Sequence, residues 1–175
     1  MNIHYRKLQP ADSKLYREVR LESLQKFPGS FGSSYEAEIA KPKLSFELNI
    51  EQQSSDKFII GAFDDKKLFG ICGFSQEAGI KRKHSGFITQ MYIQPGYQGK
   101  KLGLVLVQTA IDEAFKIPGL EQIVLGAMTT NFSAIKTYQR AGFTDFGLHW
   151  NYSKIGDIYY HMRLMILERN PIAGQ

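Results

Sequence analysis

From Phe87 to Phe115 the chain passes from an apolar strand, through Pro95-Gly96-Tyr97-Gln98-Gly99-Lys100-Lys101, into a helix that is apolar over most of its surface. Gln108, Thr109, Asp112, Glu113 and Lys116 supply a polar side at roughly helical spacing, and Leu104, Val105, Val107, Ala110, Ile111, Ala114 and Phe115 cover most of the rest. A helix with so wide an apolar face has to lie deep against a sheet. Pro118-Gly119 stops it. The layout also has a chemical consequence. A short basic, glycine-bearing turn before a helix gathers backbone N–H groups at one point, with the positive end of the helix dipole behind them. Such a point binds a phosphate or pyrophosphate.

The other segments supply the sheet. Ile3 to Leu8 reads as a first strand, and Pro10-Ala11-Asp12-Ser13 starts a helix that carries Leu15, Val19, Leu21 and Leu24 and ends before Pro28. Residues 28–34 are a loop by composition. A second helical piece, broken at Pro42, runs from Tyr35 to about Gln52. Lys57 to Phe63 and Leu68 to Phe74 form a hairpin across Asp64-Asp65-Lys66-Lys67. A polar, basic tip from Gly79 to Ser85 leads into a fourth strand, Phe87 to Ile93. Gln122 to Ala127 reads as a buried strand. Asn131 to Ala141 is a short helix closed by Gly142 in the C′ position. A last hairpin starts at Phe143, turns near Lys154-Ile155-Gly156-Asp157 and returns from Ile158 to Leu167. This order predicts a mixed α/β (α+β) domain around one sheet.

The 175 residues, 43% hydrophobic and 13% aromatic, are expected to form a single domain, 1–175, with a substantial core. A formal charge of +5 fits a polyanionic ligand without selecting one. The single cysteine, Cys72, excludes an internal disulfide and any multi-cysteine zinc site, and its apolar neighbours make it a small buried hydrophobe. The first residues lack a signal-peptide core and no apolar run reaches membrane-spanning length, so a cytoplasmic protein with no membrane partner is expected. The basic run Lys81-Arg82-Lys83-His84 is one short hairpin tip with no interleaved aromatics, so no nucleic-acid partner is expected either.

The turn before the apolar helix matches neither common nucleotide fingerprint. G-x-x-x-x-G-K-[ST] fails on spacing and on the missing hydroxyl, and G-x-G-x-x-G is absent. It aligns with the form [Q/R]-x-x-G-x-[G/A] at every position but Lys101, as Gln98-Gly99-Lys100-Lys101-Leu102-Gly103 after the lead-in Ile93-Gln94-Pro95-Gly96-Tyr97. Downstream, Asn131-Phe132-Ser133-Ala134-Ile135-Lys136-Thr137-Tyr138-Gln139-Arg140-Ala141-Gly142-Phe143 fits N-x-x-A-x-x-x-Y-x-x-x-G-F. With both segments in this order, the chain resembles the GNAT superfamily of N-acetyltransferases from about Ile3 to Leu167, most strongly from Met91 to Phe143.

The resemblance implies a largely antiparallel central sheet flanked by helices, with acetyl-CoA as cosubstrate and no metal. It implies that Gln98, Gly99, Lys100, Lys101, Leu102 and Gly103 hold the coenzyme pyrophosphate. Backbone groups around Met91 and Ile93, on a fourth strand that splays from its neighbour, would meet the pantetheine and the thioester carbonyl. Asn131 would cap its helix or bond the pantetheine arm, and Tyr138 would protonate the departing thiolate. Lys101 departs from the pattern, since it stands where the family has its first glycine. A lysine is expected there only with negative φ and an outward side chain, at or near the helix start.

The implied reaction is direct acetyl transfer to a primary amine of a small molecule or peptide. The alternative is a non-catalytic acyl-CoA-binding or regulatory module. At pH 7 only on the order of one alkylamine in a few thousand is neutral, so a general base or a water relay is expected. Phe87 to Tyr92 carries no carboxylate. Glu77, His84 and His161 are the candidate bases, and Gln90 and Tyr92 are candidates for holding a water. Phe31, Tyr35, Trp150, Tyr159 and Tyr160 are candidate acceptor walls, with Glu36 and Asp157 as candidate anchors. A monomer or homodimer is expected.

Overall fold

The computed structural model describes residues 1–169. Seven strands make one sheet: β1 (Ile3–Lys7), β2 (Lys57–Asp64), β3 (Lys67–Gln76), β4 (Ser85–Ile93), β5 (Gln122–Met128), β6 (Thr144–Ile155) and β7 (Ile158–Glu168). Their order is β1-β2-β3-β4-β5-β7-β6, and every neighbouring pair is antiparallel except β4–β5, which is parallel. The helices are α1 (Ser13–Lys26), α2 (Tyr35–Ile39), α3 (Glu47–Glu51), α4 (Leu102–Ala114) and α5 (Phe132–Arg140). This is the mixed, largely antiparallel architecture expected. The helical piece predicted from Tyr35 to Gln52 is two short helices, because Pro42 and its neighbours interrupt it.

β2 and β3 are buried on both faces, which is why they read as continuous apolar runs. Successive side chains go to opposite sides. Phe58, Ile60, Cys72 and Phe74 pack with Leu106, Val107, Ala110 and Ile111 of α4. Ile59, Phe63 and Ile71 pack with Tyr16 and Val19 of α1 and Ile50 of α3. The wide apolar face of α4 is accounted for by its place over β2, β3 and β4. Among the described residues no helix is long and apolar enough to cross a membrane.

The seam between β4 and β5 decides where a ligand can go. The two strands pair only at Ser85–Gln122, Gly86–Ile123 and Phe87–Val124. Beyond Phe87 they part. Opposite β3, the register moves from Gly73–Thr89 to Ile71–Tyr92, so β4 carries one extra residue there. Gln90 sits in that bulge with φ of 55°. A bulge bends its strand and increases its twist, and here it turns the C-terminal half of β4 away from β5.

Candidate functional site

A cleft of about 520 Å³ opens where β4 and β5 part, bounded by the turn before α4, by α5 and by the loop after α1. At the turn, Gln98 donates through Nε2 to the Ile93 carbonyl at 2.8 Å, and the Tyr5 hydroxyl donates to the Leu102 carbonyl at 3.3 Å. These bonds fix the two ends of the turn. Within it, the backbone N–H groups of Gly99, Lys100 and Lys101 take part in no backbone hydrogen bond among the described residues. Leu102 and Gly103 follow as the first helical positions, whose N–H groups have no partner inside a helix. Five consecutive donors therefore stand together at the positive end of α4.

Lys101 is the N-cap of α4 with φ of 60°. This corrects the expectation of a negative φ. The chain must enter the left-handed region to start the helix there, which is the physical reason a glycine suits the position. Its side chain is exposed, as expected. Lys101→Gly should remove a left-handed lysine and raise the melting temperature by about 2–4 °C, equivalent to about 1 kcal/mol. A calorimetric scan showing no rise would mean that lysine contacts outweigh the backbone cost.

The β4 backbone presents the next groups. The Gln94 N–H donates to the Phe69 carbonyl at 2.8 Å. By antiparallel alternation Tyr92 also bonds toward β3, and Met91 and Ile93 turn their N–H and C=O groups toward the opened seam. The Ile93 carbonyl is taken by Gln98. The Ile93 N–H and both backbone groups of Met91 face the gap with no paired β5 residue opposite.

α5 forms the other wall. The Asn131 Oδ1 accepts from the Ala134 N–H at 3.1 Å, capping the helix and leaving the Nδ2 donors for the cleft that Asn131 lines. At the far end, Gly142 has φ of 100°, its N–H donates to the Gln139 carbonyl, and the Phe143 N–H donates to the Tyr138 carbonyl, both at 3.0 Å. That is a Schellman closure. It holds the Tyr138 backbone, and the Phe143 ring packs edge-on to the Tyr138 ring with centroids 6.1 Å apart. Tyr138 is 6% exposed and lines the cleft. Burial pushes its phenol well above the usual range, with Cys72 nearby acting in the same direction, so it keeps its proton at any working pH. Burial pushes the Cys72 thiol up to about 12, so it offers no thiolate nucleophile at neutral pH.

Of the residues singled out from the sequence, Met91, Ile93, Gln98, Gly99, Lys101, Leu102, Gly103, Asn131 and Tyr138 all line this cleft. Lys100 does not. It is exposed, with its Nζ 3.4 Å from the Gly96 carbonyl. Sequence reasoning missed Ser133, Thr137 and Arg140, which line the cleft from α5. Their spacing of four and then three residues was the available signal.

The candidate bases are elsewhere. Glu77 is paired with Arg82, His84 is exposed, and the His161 Nδ1 accepts from the Asn151 N–H at 2.9 Å with Trp150 edge-on to its ring. None lines the cleft. Gln90 and Tyr92 do, but protein groups meet their polar ends. The Tyr16 hydroxyl donates to the Gln90 Oε1 at 2.9 Å, and the Tyr92 hydroxyl donates to the Glu22 carboxylate at 3.0 Å. Among the acceptor-wall candidates only Phe31 lines the cleft, joined by Phe27 and Ser30, whereas Tyr35, Trp150, Tyr159 and Tyr160 do not. Tyr160 instead packs against Gly29, where an added Cβ would come within 2.8 Å of its ring. Glu36 and Asp157 are exposed and outside the cleft.

Comparisons with known proteins place this geometry. The chain superimposes over 95% of its length on a GNAT-family acetyltransferase from Streptococcus pneumoniae, with a TM-score of 0.82 and 21% identity over 98% of that chain.

A Salmonella typhimurium protein, yncA, whose structure contains its cofactor acetyl-CoA, matches over 99% of this chain and 98% of that one, with a TM-score of 0.79 and 18% identity. At these identities the likeness is one of fold. In sequence, 114 residues are 28% identical to the spermidine N(1)-acetyltransferase of Escherichia coli K12, covering 65% of this chain and 58% of that enzyme's length. The profile of the Acetyltransferase (GNAT) family matches residues 19–143, a span that takes in the bulged β4, the turn, α4, β5 and α5 together. The chain belongs to the GNAT acetyltransferase family.

Proposed function

We propose that this chain is an acetyl-CoA-dependent N-acetyltransferase that moves the acetyl group directly to a primary amine of a small molecule or peptide. The observation that carries the reading is the opened β4–β5 seam, with five free N–H donors at the turn before α4 and a protonated, cleft-lining Tyr138 on the opposite wall. The donor set fits the coenzyme. Unpaired N–H groups at a helix N-terminus suit a pyrophosphate, and strand groups without a partner suit the amides of a pantetheine arm.

Acetyl-CoA supplies an activated thioester, whose C–S bond breaks as the amine nitrogen forms the new N–C bond. Residues 99–103 hold the pyrophosphate, and the Asn131 Nδ2 together with the Met91 and Ile93 backbone orients the arm. The strand N–H groups polarise the thioester carbonyl. The Tyr138 phenol donates its proton to the sulfur that leaves. Holding donor and acceptor in one cleft makes the encounter effectively intramolecular.

The cleft lining carries only two charged side chains among the described residues, Lys101 and Arg140, and neither a carboxylate nor an imidazole. The amine therefore loses its proton to water. With an amine pKa near 10.4, kcat/KM should rise about tenfold per pH unit through neutrality and level off only near the pKa of the amine itself. A plateau near pH 7, whatever amine is used, would reveal an enzyme base instead.

Calorimetric titration with acetyl-CoA, followed by thiol release with a panel of amines, tests the function. Saturable binding with turnover supports transfer. Binding without thiol release from any amine would leave an acyl-CoA-binding module, and absence of binding would overturn the site.

A further inference from the structure

Arg20, on α1, is 4% exposed, yet its charge has little to meet. Its Nε has no hydrogen-bond partner, and its Nη1 reaches only the Ser23 Oγ, at 3.5 Å. No carboxylate stands within ion-pair distance of it among the described residues. Glu38 acts on it electrostatically, as does Tyr16, but the Glu38 carboxylate is bound to Lys41 at 2.6 Å. A buried guanidinium without a bonded anion is costly to keep.

Its surroundings connect it to the cleft. The guanidinium lies against the Phe31 ring, 4.8 Å from the centroid, and Phe31 is a cleft wall. Tyr16, one turn earlier on the same face of α1, bonds Gln90, another cleft wall. The Phe31 side chain, on the loop between α1 and α2, thus touches both the cleft and the Arg20 guanidinium. A purely cationic acceptor would find no carboxylate in the cleft lining, whereas an acceptor with a carboxylate would find a planar donor fork suited to it.

Resting on the acetyltransferase reading, we propose that the acceptor is a small amine that also carries a carboxylate, of the amino-acid class, and that its carboxylate displaces the Phe31 ring to pair with Arg20. Arg20 is then the residue that selects the acceptor.

The test is thiol release from acetyl-CoA by the full chain with a panel of L-amino acids, each paired with its methyl ester and its decarboxylated amine, and with spermidine. At least one acid should exceed its ester and its amine at least tenfold in kcat/KM. Arg20→Gln should remove that preference through KM for the acid while leaving KM for acetyl-CoA within twofold. Should Arg20→Gln not fold, the panel on the unmodified protein still decides the acceptor class, and Phe31→Ala, which frees the path, should lower KM for the acid. Equal or better use of esters, amines or spermidine overturns the inference and leaves the transferase reading intact. Bound acetyl-CoA with no turnover of any panel member overturns the inference, and the transferase reading falls with it if peptide amines also release no thiol.

Discussion

Tyr138→Phe should lower kcat by at least about 10²-fold while acetyl-CoA affinity stays within about twofold, because only the transferable proton is lost. The phenylalanine ring keeps the packing against Phe143 and the place in the cleft wall. The Schellman closure that sets the backbone uses the residue 138 carbonyl, which the substitution does not touch. Burial raises the phenol pKa, so the protonated form persists across neutral and mildly alkaline pH. The descending limb that an ordinary phenol would give near pH 10 should therefore be missing from the unmodified protein. Stopped thiol-release assays and calorimetric titration of the variant supply the two readouts. An unchanged kcat would remove Tyr138 from the chemistry.

Gly103→Glu should weaken acetyl-CoA binding by at least about 100-fold, or about 2.7 kcal/mol. Gly103 is the second residue of α4, and an added Cβ there meets the Met91 Cε at 3.3 Å and the Ile93 Cγ1 at 3.7 Å. The Met91 tip is flexible, so the fold accepts the side chain. A glutamate in the first turn of a helix is itself favourable, because its carboxylate meets the free N–H groups and the positive end of the dipole. Those are the groups proposed to hold the pyrophosphate. The variant should thus melt no lower than the unmodified protein and still fail to bind, a combination that misfolding cannot produce. Tight binding by the folded variant would place the coenzyme elsewhere.

Much of the fold was legible because its signals are local. The period of α4, the hairpin of β2 and β3 and the closure of α5 by Gly142 each depend on residues within a few positions of one another. The cleft-lining segments were legible for the same reason, as two ordered motifs. The base candidates were not separable by sequence. Glu77, His84 and His161 are of the right chemical type, but their distance from the cleft depends on where β4 and the last hairpin lie. The left-handed Lys101 was also missed, since a lysine gives no sign of positive φ.

By itself the sequence determined the strand–turn–helix, the Asn131 cap and the Gly142 closure, all governed by backbone hydrogen bonding over short separations. Only the tertiary structure decided that β4 leaves β5 after Phe87, that Tyr138 is buried at the resulting gap, and that Arg20 lies behind Phe31. Each of these depends on packing between residues far apart in the chain. A strand's own sequence does not say where its neighbour stops pairing with it, and an arginine on a helix does not say what will cover it.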